Sequence, residues 1–252
     1  MKKLICLIAV FAMLLALCAC KGDDKPEETT TQPAETTIPT TTVAPTIIPV
    51  VDPTEPSYAP TDSWTQVYAG AVRDYLNPVE EFSWERKYDP EFVMIHFSSA
   101  VVNHRNDPYN IKHLRKIYVD YDVSVHYVIE RDGTVHCYIP EERVAWHAGR
   151  GTFGGDAKYT NKMNLYAIGI ELLAMGTEEE MSAYLTTKEY NALDKSLIGF
   201  TDAQYASLKA LVEDICSRQN IPLDRQHVIG HEDYSSDMND PGELFDWSKI
   251  LP

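Results

Sequence analysis

Between residues 165 and 173 runs a nearly unbroken apolar stretch, and at its heart Ile168-Gly169-Ile170-Glu171-Leu172-Leu173 carries a single carboxylate. A run of this length and composition reads as a buried β-strand. A charge on such a strand is costly unless it is paired or liganded. The same-face neighbours of Glu171 are Ala167 and Gly169, both small, which leaves room above the carboxylate and suggests a cleft floor. A buried structural ion pair is the other reading of Glu171 taken alone.

The rest of the sequence supplies a sheet around this strand. Residues 92–97 form a second short buried strand, with His96 on the face of Phe92 and Met94 by period-two alternation. Residues 124–130 and 134–139 are β-rich and joined across Arg131-Asp132-Gly133, a hairpin signal. Val228-Ile229-Gly230 leads into His231, and Asn239-Asp240-Pro241-Gly242 is a turn signature able to bring Asp240 back toward that histidine. Asp240 could equally make a simple Asx-turn, and His96 alone could be a hydrogen-bonded core histidine.

Helices are expected over 63–75, ending before Asn77-Pro78, and from Asp107-Pro108, read as N-cap and first-turn proline, to about Tyr118. A third follows Thr201, where Thr201 and Gln204 form a capping box and Phe200 and Tyr205 a hydrophobic staple. It places Tyr205, Leu208, Val212, Ile215 and Cys216 on one face. Strands interleaved with helices give an α/β fold with a central sheet, in one domain over residues 62–252.

The N-terminal part is different in kind. Met1-Lys2-Lys3 precedes an apolar run over residues 4–19, shorter than the ~20 residues of a membrane-spanning helix, and reads as a secretory signal. Its end, Leu17-Cys18-Ala19-Cys20, resembles the lipobox of bacterial lipoproteins. That resemblance implies cleavage before Cys20, acylation of its thiol and a lipid-anchored, extracytoplasmic protein; a plain signal peptide is the alternative. Residues 20–61 are dominated by Thr and Pro and lack the apolar surface to offset chain entropy, so they are expected to be a disordered tether. Extended at ~3 Å per residue, some 40 residues reach on the order of 100 Å.

The formal net charge is −16, and losing Lys2 and Lys3 with the signal makes it −18. Such a protein has no electrostatic attraction to nucleic acid or anionic lipid, so nucleic acid is excluded as a partner and membrane contact is expected through the lipid alone. Beyond Cys20, Cys137 and Cys216 remain, and no disulfide framework is indicated; Cys216 sits on an apolar helix face, as a buried thiol does.

Taken in order, Ile95-His96-Phe97-Ser98-Ser99, Val123-Ser124-Val125-His126-Tyr127, Arg131-Asp132-Gly133-Thr134, Ala145-Trp146-His147-Ala148-Gly149, Ile168-Gly169-Ile170-Glu171 and Gly230-His231-Glu232-Asp233 through Asp240-Pro241-Gly242 resemble the type-2 N-acetylmuramoyl-L-alanine amidases. These are kin to the peptidoglycan-recognition proteins. The resemblance covers roughly residues 92–252 and implies a mixed central sheet flanked by helices. It implies a zinc ion held by His96, His231 and Asp240, with Glu171 as the catalytic carboxylate. It also implies a substrate cleft lined by His126 and His147, and hydrolysis of the bond joining N-acetylmuramic acid to L-alanine in peptidoglycan; Trp146 beside His147 could pack against substrate or equally serve as a buried hinge. A non-catalytic peptidoglycan receptor of the same fold is the alternative, although such receptors typically lose a metal ligand. A monomer is the simplest assembly. His104, His113, His136 and His227 match nothing catalytic and are expected to be structural or surface residues.

The chain also departs from the pattern. Relatives carry a lysine two residues before the third ligand, where Met238 stands here, and the loop from His231 to Asp240 is one residue shorter. Val125 replaces a tyrosine found in some relatives, and Phe97 a second histidine. A thioether supplies no charge-assisted hydrogen bond to an oxyanion, and losing one such donor costs ~10²–10³ in rate.

Overall fold

The computed structural model describes residues 63–252; the expected signal (1–19), the lipidation site Cys20 and the tether (20–61) lie outside the described residues. In chain order the regular elements are β1 Val72–Arg73, β2 Trp84–Glu85, β3 Phe92–Ser98, α1 Ile111–Asp120, β4 Tyr127–Ile129, β5 Val135–Cys137, β6 Arg143–Val144, β7 Ala167–Leu173, α2 Thr187–Asn191, α3 Asp202–Gln219 and β8 Val228–Gly230, with short 3₁₀ turns between them. Six strands form one sheet in the order β1-β5-β4-β7-β3-β8. β4 and β5 pair antiparallel, as the hairpin signal predicts, and the other neighbours pair parallel. The sheet is therefore mixed. β2 and β6 make a separate antiparallel ribbon.

The two long apolar runs become the central pair. β3 and β7 lie side by side over seven residues, and their register sets His96 opposite Glu171. Alternation then sorts the side chains. Val93, Ile95, Ile168 and Ile170 belong to the main core with Leu208, Leu211, Val212 and Ile215 of α3. Phe92, Met94 and Ala167 belong to a smaller cluster with Ala148, Met163, Ile229 and Tyr234. His96 and Glu171 continue this second face toward the strand C-termini, the end of a parallel sheet where ligands bind in open α/β folds.

The α3 reading holds in detail. Thr201 accepts from the Gln204 amide while the Gln204 side chain bonds back to Thr201, and Asn220 closes the helix at φ 56°. The Phe200 and Tyr205 rings lie 5.9 Å apart as the staple requires. Leu208 is fully buried, so Leu208→Ala is expected to cost about 2–5 kcal/mol, read as a lower denaturant midpoint at unchanged m-value.

One expected helix is absent and another starts later than its sequence signals. Residues 63–75 are not helical: the Asp74 amide donates to the Cys137 carbonyl, and the Leu76 amide just beyond to that of Tyr138, so the end of this segment runs along β5. β1 accordingly pairs parallel with β5. The first true helix, α1, is capped by Asn110, whose side chain accepts from the Lys112 amide at 3.0 Å. Asp107-Pro108 lies in the preceding turn, where Asp107 takes a hydrogen bond from Asn110. Cys137 and Cys216 are both free and buried.

Candidate metal centre

Three side chains from distant parts of the chain converge where β3 and β8 end. His96 is the fifth residue of β3, and His231 follows β8 directly. His96 Nδ1 lies 2.9 Å from Asp240 Oδ2 and 3.1 Å from His231 Nδ1. His231 Nδ1 lies 3.2 Å from Asp240 Oδ1. A tetrahedral ion with bonds of ~2.0–2.1 Å places its ligand atoms about 3.3 Å apart, so two imidazole nitrogens and a carboxylate at these separations suit zinc. All three side chains are largely shielded, with 3%, 7% and 13% of their surfaces exposed. Buried ligands of this kind need compensation by one another or by a cation.

The local backbone explains how Asp240 reaches this point across nine residues. The Glu232 amide donates to the Asp240 carbonyl at 3.0 Å, closing the loop on itself. Gly230 permits the approach, because a Cβ there would meet Pro241 Cδ at 2.7 Å. Asp233 accepts from the Gly230 amide at 2.6 Å and is in turn held by Arg225 at 2.7 Å, which fixes the turn bearing His231. Glu180, itself buried, fastens the far end: its carboxylate accepts from the Glu243 amide at 2.8 Å and the Thr177 amide at 2.6 Å. Glu180 is invisible to sequence patterning, for an acidic residue in a loop ordinarily reads as solvated surface.

Electrostatics divides the group. Burial raises the Asp240 pKa, but hydrogen bonds from His231 and His96 outweigh it and hold the carboxyl below its ordinary range. Burial and repulsion from His231 lower His96, whereas on His231 the Asp240 bond overcomes burial and the net shift is upward. Glu171, at the His96 register on the neighbouring strand, is pushed up to about 8 by burial and by the Asp240 charge, against a smaller opposing contribution from the Ser98 hydroxyl. Its Oε2 is buried without a hydrogen-bond partner. A carboxyl with proton affinity near neutrality and an unsatisfied oxygen is equipped to take and return a proton.

The three residues expected to touch substrate are placed differently from one another. His126 is fully buried: its Nδ1 accepts from the Gly169 amide at 3.0 Å and its Nε2 lies 3.2 Å from the Arg143 carbonyl. Burial and the Arg86 guanidinium keep its pKa well below the usual value. His126 is thus a neutral brace beside β4 and β7, with no exposed surface of its own. The His147 ring fills the space above Gly169, where a Cβ would lie 2.6 Å from its Cγ, so the room predicted beside Glu171 is occupied by protein. His147 Nδ1 stands 3.0 Å from His96 Nε2. Trp146 is partly buried and packs against Trp84, ring centroids 5.5 Å apart, and Trp84 is 50% exposed. Of the other histidines, His136 bonds Glu130, His227 bonds Asp224, and His104 stacks on His113. None joins the triad.

Comparisons with known proteins agree with this geometry. The family model described as N-acetylmuramoyl-L-alanine amidase matches residues 86–243, well over half of the chain. A curated relative from Haemophilus influenzae, 1,6-anhydro-N-acetylmuramyl-L-alanine amidase AmpD, is 35% identical over 130 residues, which is 51% of this chain and 57% of the relative. N-acetylmuramoyl-L-alanine amidase AmiD of Escherichia coli is 29% identical over 139 residues, covering 52% of this chain and 44% of AmiD. The chain thus spans only about half the length of these curated relatives. A crystal structure of a selenomethionine AmpD derivative superposes with a TM-score of 0.51 at 22% identity, covering 74% of this chain and 96% of that one, and shares the fold. The strand register, the converging His96, His231 and Asp240, and the matched span lead to one conclusion: the chain belongs to the N-acetylmuramoyl-L-alanine amidase family.

Proposed function

We propose that this protein is a zinc-dependent hydrolase of the amide bond between N-acetylmuramic acid and L-alanine in peptidoglycan. The observation that carries the reading is the cluster of His96 Nδ1, His231 Nδ1 and the Asp240 carboxylate beside a buried, partnerless carboxyl oxygen of Glu171. His96, His231 and Asp240 would hold the zinc. When bound, it supplies Lewis acidity, polarising the scissile carbonyl and acidifying water. Glu171 takes the proton from the attacking water on its carboxylate and returns it to the departing alanine nitrogen. A zinc ion on Asp240 would offset the carboxylate charge that raises Glu171 and so favour its ionised, proton-accepting form. Trp146, with the exposed Trp84 against it, would offer an apolar face for substrate. His147 acts behind His96.

The sequence at the N-terminus supports an extracytoplasmic setting, with the domain tethered through an acylated Cys20 and able to reach wall material above the membrane. A monomer suffices, since each of these site residues comes from one chain.

Purified peptidoglycan digested with the protein should show new L-alanine amino termini, and release should stop with a chelator and return with zinc. Tight wall binding without release in zinc-replete buffer would instead make the protein a receptor.

A further inference from the structure

We infer that Asn164, which is not one of the metal ligands, is the positioning residue that fixes both histidines of the triad through the backbone of His147 and Ala148. The inference rests on the reading of His96, His231 and Asp240 as a metal centre.

Both histidines turn Nδ1 toward Asp240. An imidazole that ligates through Nδ1 carries its proton on Nε2, and that N–H requires an acceptor to hold the ring. His231 Nε2 lies 3.0 Å from the Ala148 carbonyl oxygen. His96 Nε2 lies 3.0 Å from His147 Nδ1. The two acceptors therefore belong to consecutive residues. They sit in a stretch, 145–150, that has neither helix nor strand to hold it in place.

Ser124 holds its start, through the Trp146 amide and carbonyl, and one atom holds the two residues that carry the acceptors. Asn164 Oδ1 accepts from the His147 amide at 3.0 Å and from the Ala148 amide at 2.7 Å. Asn164 lies in the 3₁₀ turn Met163–Leu165, which leads directly into β7. The loop that sets both rings is thus registered against the strand that carries Glu171. Gly169 on that strand completes the fit by leaving space for the His147 ring. Removing the Asn164 oxygen strands the His147 and Ala148 amides and loosens the loop beyond Trp146, so both Nε2 acceptors shift together. Loss of such outer partners typically costs 10–100-fold in metal affinity.

The test compares zinc affinity, by competition with a chromophoric chelator, in wild type, Asn164→Leu and Asn164→Asp. Histidine ¹⁵N shifts in the zinc-loaded proteins report which ring nitrogen carries the proton. Asn164→Leu should bind zinc about 10–100-fold more weakly and lose the uniform Nε2–H pattern. Asn164→Asp keeps an acceptor oxygen and should restore both. If Asn164→Leu fails to fold, Asn164→Ser, whose hydroxyl is too short to serve both amides, takes its place. Unchanged affinity and tautomers in the variant overturn the role of Asn164 and leave the metal centre standing. Absence of stoichiometric zinc in wild type overturns the metal centre and this inference with it.

Discussion

Glu171→Gln should yield a folded protein that binds zinc and cell wall normally and releases L-alanine termini about 10²–10⁴-fold more slowly than wild type, the usual contribution of a positioned acid–base group. The amide is nearly the same size as the carboxyl, so the packing between β3 and β7 is preserved. It cannot accept a proton, so only the transfer is removed. The buried, unpartnered Oε2 argues that this carboxyl is not retained for the fold, because a structural buried acid is normally paired. Replacing it relieves a desolvation cost, and the melting temperature should hold or rise. Labelling of newly exposed amino groups on digested peptidoglycan measures the rate; turnover within tenfold of wild type would remove Glu171 from the chemistry.

Asp240→Ala should abolish zinc-dependent stabilisation. A ligand present at 1,000 times its dissociation constant stabilises the folded state by about 4 kcal/mol. For a domain of this size that corresponds to a rise of roughly 8–16 °C in melting temperature. Wild type should show such a rise on adding zinc, and the variant almost none. With the carboxylate gone, two imidazoles whose Nδ1 atoms lie 3.1 Å apart are left without the negative charge they both face. A melting curve for Asp240→Ala that still climbs by ten degrees with zinc would show that the third ligand lies elsewhere.

Much of the site was legible because its residues interrupt apolar strands. His96, Glu171 and His231 stand out as polar groups at the ends or middle of runs that otherwise belong in a core, and strand periodicity alone put His96 and Glu171 each on a definable face. What periodicity lacks is register between strands, and here the family resemblance supplied the convergence that the β3–β7 pairing then displays. The failures have a common origin in contacts distant along the chain. Residues 63–75 have an acceptable helical composition but meet the open edge of β5, which offers their amides better acceptors. The full burial of His126 was not legible locally either, for the Arg86 guanidinium 3.2 Å from its ring nitrogen comes from forty residues earlier. Asn164 and Glu180 act on backbone amides, and a side chain that serves another segment's backbone leaves no periodic trace.

The Asp240 loop is fastened at both ends, which leaves that border of the metal centre little freedom to move. One end is stitched to Glu232 and the other is pinned by Glu180 to the segment after β7. This side of the opening is therefore a fixed jamb and not a hinged door. Under the proposed function, a wall strand would have to fit itself to that edge, and whatever yielding accompanies its entry would fall to the chain on the opposite side.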